Sequence, residues 1–195
     1  MNRILPAAAR AAEVPRPLVV DLDGTLVRTD TLVESVLDLA LSKPLAFLRV
    51  LPTVLRGRSL FKRQIAELVM LDYATLPYNQ DILAFIRERR TAGAQVYLVT
   101  AADQSIADGV ALHLGLFDGV IGSDGVHNLK GPTKAAALVD RLGSDFDYIG
   151  DSTADLPVWS ACTDAYVAGN SGAVRRILSQ RGGVAGHFPA LRMDA

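Results

Sequence analysis

LVVDLDGTLV (residues 18–27) is the stretch that decides the fold of this 195-residue chain. Its first three residues are apolar, which is typical of a buried strand in a parallel sheet. Asp21 and Asp23 follow the strand directly, beside Gly24. Ligands of open α/β sheets bind at the carboxyl ends of the strands, so the stretch predicts a polar site there. Asp-x-Asp-Gly-Thr alone is also common in turns and helix caps.

The pattern on either side of this stretch predicts an α/β fold with an insertion. Residues 28–77 have helical periodicity throughout, and Thr31 with Glu34 forms the capping-box pattern of a first helix. After residue 77, helices alternate with apolar strands at 95–100, 119–121, 148–150 and 165–168. Such alternation predicts a parallel sheet with right-handed crossovers. Residues 17–27 and 78–180 would form the core domain, 28–77 a helical cap, and 1–16 and 181–195 flexible tails.

Composition excludes several classes of protein. The chain has 20 Lys and Arg against 21 Asp and Glu, a net charge of −1, so nucleic acid is not an expected partner. Cys162 is the single cysteine, which excludes an internal disulfide and a cysteine-based zinc site. No apolar run reaches the 18 residues of a membrane span, because Arg49 and Pro52 interrupt the most apolar segment. We expect a cytoplasmic protein, either free or held at the membrane surface.

Further polar residues follow the other predicted strands. Thr100 ends the second strand, and Asp151 and Asp155 follow the fourth. Carboxylates crowded at one edge cannot all stay ionised without a cation, and oxygen ligands select a hard ion such as Mg²⁺. One carboxylate could then attack phosphorus, a neighbour could move the proton, and Thr100, backbone amides and a lysine could hold the phosphate. Each motif alone is common, but their joint order favours a phosphoryl-transfer site.

These motifs together resemble the haloacid dehalogenase-like superfamily, in its phosphoserine-phosphatase-like subgroup. The resemblance covers residues 18–170 and implies a Rossmann-like parallel sheet with a helical cap of the C1 type after the first strand. It implies that Asp21 is the nucleophile forming an aspartyl-phosphate and that Asp23 is the acid and base. The implied Mg²⁺ ligands are Asp21, the backbone carbonyl of Asp23, and Asp151, with Asp155 in support. Thr100 and Ala101 would bind phosphate.

The lysine of the site has two candidates. NLKG (residues 128–131) resembles the Lys-Gly that precedes the penultimate helix in this subgroup, so Lys130 is preferred as the catalytic and phosphate-binding lysine. Lys134, one turn further on, is the alternative phosphate ligand.

The cap is predicted to contribute Asp30, Lys62 and Arg63 to the substrate site. Phosphoserine phosphatases carry a Glu near the position of Asp30 to hold the substrate amine, and their first motif often has Ser at the position of Gly24. Both differences weaken a phosphoserine assignment.

A closer resemblance is to the phosphatase-like domain fused ahead of some UbiA-type polyprenyltransferases. It rests on five stretches, at residues 31–37, 60–79, 111–125, 128–131 and 150–159. It implies a prenyl-linked sugar phosphate as substrate, similar to decaprenylphosphoryl-5-phosphoribose, and a prenyltransferase partner. The alternatives are a small-metabolite phosphatase of the phosphoserine type and a non-catalytic domain that binds a partner.

Apolar and cationic residues mix in residues 45–63 of the cap. One interpretation is a packed cap with solvated charges, since periodic apolar residues usually form a core. The other is a surface that contacts anionic lipid headgroups.

Overall fold

The computed structural model describes residues 15–69, 71–124, 129–179 and 182–189. Most of the predicted N-terminal tail, residues 1–14, lies outside these ranges, as do the ends of the predicted C-terminal tail. The strands are β1 (Leu18–Val20), β2 (Val96–Asp103), β3 (Gly119–Ser123), β4 (Asp147–Gly150), β5 (Ala165–Ala168) and β6 (Gly186–Phe188). The helices are α1 (Thr31–Ser42), α2 (Pro44–Val50), α3 (Arg58–Leu68), α4 (Gln80–Thr91), α5 (Gln104–Leu114), α6 (Pro132–Leu142), α7 (Leu156–Trp159) and α8 (Gly172–Ser179).

The six strands form one sheet in the order β3-β2-β1-β4-β5-β6, and every pair is parallel. Val19 of β1 pairs with Tyr97 of β2 and Tyr148 of β4, which places β1 between the two strands that carry the other predicted site residues. The carboxyl ends of all three strands therefore meet at one edge. The predicted α/β fold is confirmed.

Both faces of the sheet are buried, because successive side chains of a strand point to opposite faces. Leu18 and Val20 pack in one core cluster with residues of α4 and α5. Val19 packs in the other, with residues of α6 and α8. Burial on both faces explains why β1 is apolar at every position.

Residues 28–77 form an insertion whose two ends lie side by side. Val27 makes an antiparallel bridge with Tyr78, and the amide of Arg28 donates to the carbonyl of Pro77. Between them, α1, α2 and α3 pack around a small core of their own, made of Leu39, Val50, Ile65 and Val69. No helix in the described ranges is long and apolar enough to cross a membrane.

Local details of the cap differ from expectation. Asp30, not Thr31, caps α1, because its carboxylate accepts from the amides of Leu32 and Val33. The sequence between Pro44 and Gly57 predicts one continuous helix, but α2 ends at Val50 and a 3-10 turn over Leu51–Arg56 follows. Pro52 has no amide hydrogen to donate to an α-helical bond, which accounts for the change in winding.

The prediction of a tail over residues 181–195 was wrong for its described part. Gly186–Phe188 forms β6 and pairs with β5. Phe188 lies against the rings of Phe85 and Tyr166, which anchors a strand too short to give a sequence pattern. At the other end, Arg16 donates to the buried carboxylate of Asp147.

Candidate active site

The loop after β1 places Asp21 and Asp23 at the edge of the sheet. The amide of Asp21 donates to the carbonyl of Ile149 in β4, so the carboxylate is fixed at the junction of two strands. Asp23 accepts a hydrogen bond from the amide of Thr31, at 2.8 Å, which ties it to the start of the cap. Gly24 has φ +75°, and a Cβ there would lie 2.3 Å from Oδ2 of Asp151. The glycine is therefore required by both backbone conformation and space.

The segment after β4 brings Asp151 and Asp155 to the same place. Asp155 is buried, and its Oδ1 accepts from the hydroxyl of Tyr148 at 2.7 Å. Its Oδ2 accepts from the amides of Asp151 and Ser152, each at 3.3 Å. Asp155 is therefore held by the protein on both oxygens, whereas Asp151 is half-buried and lines the cavity.

Lys134 is the buried cation of the site. Its Nζ lies 2.5 Å from Oδ1 of Asp21, 3.0 Å from the hydroxyl of Tyr148 and 3.5 Å from Oδ1 of Asp155. Lys130 is exposed at the rim of the same cavity. The geometry thus favours Lys134, the reverse of the ranking predicted from the sequence.

Helical geometry explains why Lys134 faces Asp21. Lys134 stands in the first turn of α6, four residues before the buried Leu138, and the two share the inward face of that helix. That spacing was available in the sequence, and it is the signal that indicates an inward-facing Lys134.

The second strand contributes Thr100 and Ala101. The Thr100 hydroxyl is buried and accepts from the amide of Ala102 at 3.0 Å. The carbonyl of Ala101 accepts from Lys62 Nζ of the cap at 2.7 Å, which joins cap and core across the site. Thr100, Ala101 and Lys62 all line the cavity.

Of the other two predicted cap residues, one lines the cavity and the other does not. Asp30 lines the cavity, although its Oδ1 is occupied in capping α1. Arg63 is not among the lining residues; it pairs with Glu67 and donates to the carbonyl of Asp124. Arg28 lines the cavity, and its buried Nε has no hydrogen-bond partner within the part of the chain described. Sequence reasoning missed Arg28, as well as Tyr148 beneath Lys134, because neither belongs to a recognised motif.

Burial and mutual repulsion change the acidity of the carboxylates. Burial raises the pKa of Asp21 to about 7, although Lys134 acts to lower it. Burial and the charge of Asp155 raise the pKa of Asp151 to about 6. Burial also raises the pKa of Asp23, against the hydrogen bond from Thr31. Burial disfavours the charge of Lys134, yet Asp21 and Asp155 outweigh it and its pKa is raised.

These residues fit a divalent cation. Oxygens of Asp21, Asp151 and Asp155 lie within 4.8 Å of one another. Three carboxylates and one lysine leave two negative charges uncompensated. Oxygen donors with that charge suit a hard divalent ion such as Mg²⁺.

A protein-family model for haloacid dehalogenase-like hydrolases matches residues 18–160, nearly three quarters of the chain. The chain belongs to this family of hydrolases. The resemblance to the haloacid dehalogenase-like superfamily is therefore confirmed, and with it the prediction of an enzyme. An uncharacterized protein of Sinorhizobium fredii, y4nM, is 44% identical over 154 residues, which are 79% of this chain and 30% of that protein. The chain thus spans less than a third of this relative.

Solved structures agree on the fold. A protein of unknown function from Bordetella pertussis Tohama I has a TM-score of 0.70 at 19% identity, over 88% of this chain and 98% of that one. A phosphoserine phosphatase in apo form has a TM-score of 0.60 at 16% identity, covering 89% and 93%. A putative phosphoglycolate phosphatase from Lactobacillus delbrueckii has a TM-score of 0.59 at 16% identity, covering 91% and 95%. At these identities the likeness concerns the fold alone.

Proposed function

We propose that this hydrolase is a Mg²⁺-dependent phosphatase that cleaves phosphomonoesters through an aspartyl-phosphate on Asp21. The observation that carries the proposal is the buried Asp21 carboxylate in a cavity of about 350 Å³, with Lys134 against one oxygen and Asp23 two residues away. That volume suits a phosphate with a small organic group. Phosphoserine phosphatases and a putative phosphoglycolate phosphatase share the fold.

The chemistry divides between the two aspartates of the first loop. Lys134 donates a hydrogen bond to Oδ1 of Asp21, which leaves Oδ2 of Asp21 to attack phosphorus. The ester oxygen leaves and takes a proton from Asp23, whose raised pKa favours the protonated acid. Asp23, now ionised, removes a proton from water, which attacks the phosphorus of the aspartyl-phosphate. Inorganic phosphate leaves, and the carboxylate of Asp21 is regenerated.

Other residues would hold the transferring phosphoryl group. Thr100 and the backbone at Ala101, in the second half of β2, line the same cavity as Lys134 and would bind the phosphoryl oxygens; Lys130 at the rim would assist. Asp21, the carbonyl of Asp23, and Asp151 would hold Mg²⁺, with Asp155 positioning them. The ion, when bound, neutralises charge that develops on the phosphoryl oxygens.

For the substrate, we propose a prenyl-linked sugar phosphate similar to decaprenylphosphoryl-5-phosphoribose. Arg28, Lys62 and Lys130 line the cavity in addition to Lys134, so it is suited to a second anionic group, such as the phosphodiester of a prenyl-linked sugar. The resemblance to prenyltransferase-fused domains implies a prenyltransferase as the partner that supplies it.

Phosphoserine is the competing substrate. Asp30 lines the cavity, and the family resemblance implies an amine-binding carboxylate near this position, but one of its oxygens caps α1. A non-catalytic role is less well supported, because the carboxylates and Lys134 are all in place.

Activity on p-nitrophenyl phosphate tests the reaction. Asp21→Asn should abolish turnover, and Asp23→Asn should lower kcat by about 10²–10⁴-fold. Chelation by EDTA should abolish activity and Mg²⁺ should restore it. Asp38→Asn, an exposed carboxylate of α1, is the matched control and should leave turnover unchanged. Full activity of Asp21→Asn would refute the aspartyl-phosphate mechanism.

A second comparison tests the substrate. The wild-type kcat/KM should be higher for a prenyl-phosphoribose 5-phosphate than for phosphoserine. Arg28→Met should lower the first value more than the second, since it removes the cation proposed for the second anionic group. A preference for phosphoserine would transfer the assignment to the amino-acid substrate.

A further inference from the structure

The outer side of the cap exposes a set of large aliphatic side chains. We call them the apolar cap face: Val33, Leu37, Leu41, Leu45, Leu48, Leu51, Val54 and Leu55. Leu41 is 84% exposed and Leu55 is 91% exposed. In the rest of the described chain, only Leu112 and Val139 are large apolar residues with comparable exposure.

The spacing of these residues makes the face continuous. Val33, Leu37 and Leu41 are four residues apart, so they form one stripe along α1. The stripe continues at intervals of three or four residues through α2 and the following 3-10 turn, as far as Leu55. Opposite it lies the separate core of the cap, around Leu39 and Ile65. The cap is therefore apolar on two sides, and only the inner side is covered within the described chain.

The part of this face beyond Asp38 is flanked in sequence by cations only, whereas Glu34 and Asp38 lie on α1. Residues 39–66 contain six Lys and Arg and no Asp or Glu. Lys43, Arg49 and Arg56 are exposed on the segments that carry the apolar residues. Exposed aliphatic residues beside cations, as on α2 and the following 3-10 turn, complement an anionic lipid surface, where apolar insertion and charge act together. The helices are too short to span a bilayer and would lie in its plane.

The face begins next to the cavity. Leu32 lines the cavity and Val33, the next residue, opens the apolar stripe. A bilayer against this face would therefore lie beside the mouth of the site.

We propose that the apolar cap face docks on an anionic lipid bilayer. The proposal deepens the function proposed above, since it names the surface that would bring Asp21 to a lipid-linked substrate. Docking itself needs no catalysis, so the two can fail separately.

Vesicle flotation of the full chain tests the proposal. The protein should float with phosphatidylglycerol–phosphatidylcholine vesicles at low salt, and much less with phosphatidylcholine alone or at high salt. The double variant Leu48→Ser, Leu55→Ser should reduce the bound fraction at least about tenfold. Leu112→Ser, which removes an equally exposed leucine from α5, should bind as the wild type does.

Two further measurements separate docking from catalysis. Asp21→Asn should float normally although it is inactive. The double leucine variant should hydrolyse p-nitrophenyl phosphate normally, which also verifies its folding. Absence of flotation, or flotation that the leucine substitutions do not reduce, would overturn the proposal. Self-association that the substitutions abolish, without binding to vesicles, would instead assign the face to a second copy of the chain.

Discussion

Replacing Lys134 by Met tests the arrangement of the site most directly. Lys134 is 3% exposed and contacts Asp21, Asp155 and Tyr148. Removing one partner of a buried ion pair leaves an uncompensated charge, which costs about 3–5 kcal/mol of unfolding free energy. For a protein of this size, 1 kcal/mol corresponds to roughly 2–4 °C. We therefore expect the Tm of the metal-free protein to fall by about 6–20 °C.

The same substitution should also lower activity. Lys134 acts to lower the pKa of Asp21, so without it less Asp21 is ionised to attack phosphorus. The substitution would also remove a positive charge from beside the phosphoryl oxygens. This loss is comparable to removing one oxyanion-hole donor, which costs about 10²–10³-fold in kcat.

Lys130→Met is the matched control. Lys130 is exposed at the rim of the cavity, and substitutions of this kind usually change stability by less than about 0.5 kcal/mol. Thermal unfolding followed by circular dichroism, and kcat/KM on p-nitrophenyl phosphate, would be measured for both variants. A larger loss of activity in Lys130→Met, or equal Tm values for the two variants, would refute the assignment of Lys134.

Three further predictions concern the glycine, the acidity and the distal ion pair. Gly24→Ala should raise the Mg²⁺ concentration for half-maximal activity at least about tenfold, since the added Cβ would clash with Asp151. Gly115→Ala is the control: at φ +63° it has the same backbone strain but open space around it, so it should leave that concentration unchanged. The pKa of Asp21 is about 7 when folded against an ordinary value of 3.8, so its contribution to metal-free stability is present below about pH 4 and is lost as the pH rises through 7. Tm should therefore fall over this range by more in the wild type than in Asp21→Asn, and an equal fall in both would contradict the raised pKa. Asp147→Ala should cost about 3–5 kcal/mol in chemical denaturation, because Asp147 is buried between two arginines, and unchanged stability would show that the network contributes little.

Local patterns in the sequence were sufficient to predict most of the fold. Three apolar residues before Asp21 predict a central strand because only a strand buried on both faces lacks polar positions. Asp103 predicts the start of α5, and its carboxylate does accept from the amide of Ser105. The order of the strand ends along the chain also predicted the collection of Asp21, Thr100 and Asp151 around one cavity, since parallel strands share an edge.

The tertiary structure decided what depends on contacts between distant segments. β6 is held in place because Phe188 packs against the rings of Phe85 and Tyr166. The strand has only three residues, too few for a sequence pattern that would predict it.

The sequence by itself determined the class of fold and the residue types of the site, because both follow from periodicity and from the order of motifs. It ranked Lys130 ahead of Lys134, because the resemblance at residues 128–131 was given more weight than the helical spacing of Lys134 and Leu138. Only the tertiary structure shows that the first turn of α6 directs Lys134, and not Lys130, toward Asp21. The exposure of Leu41 and Leu55 was likewise undetermined, because a helical period shows that residues share a face and not whether another element covers it.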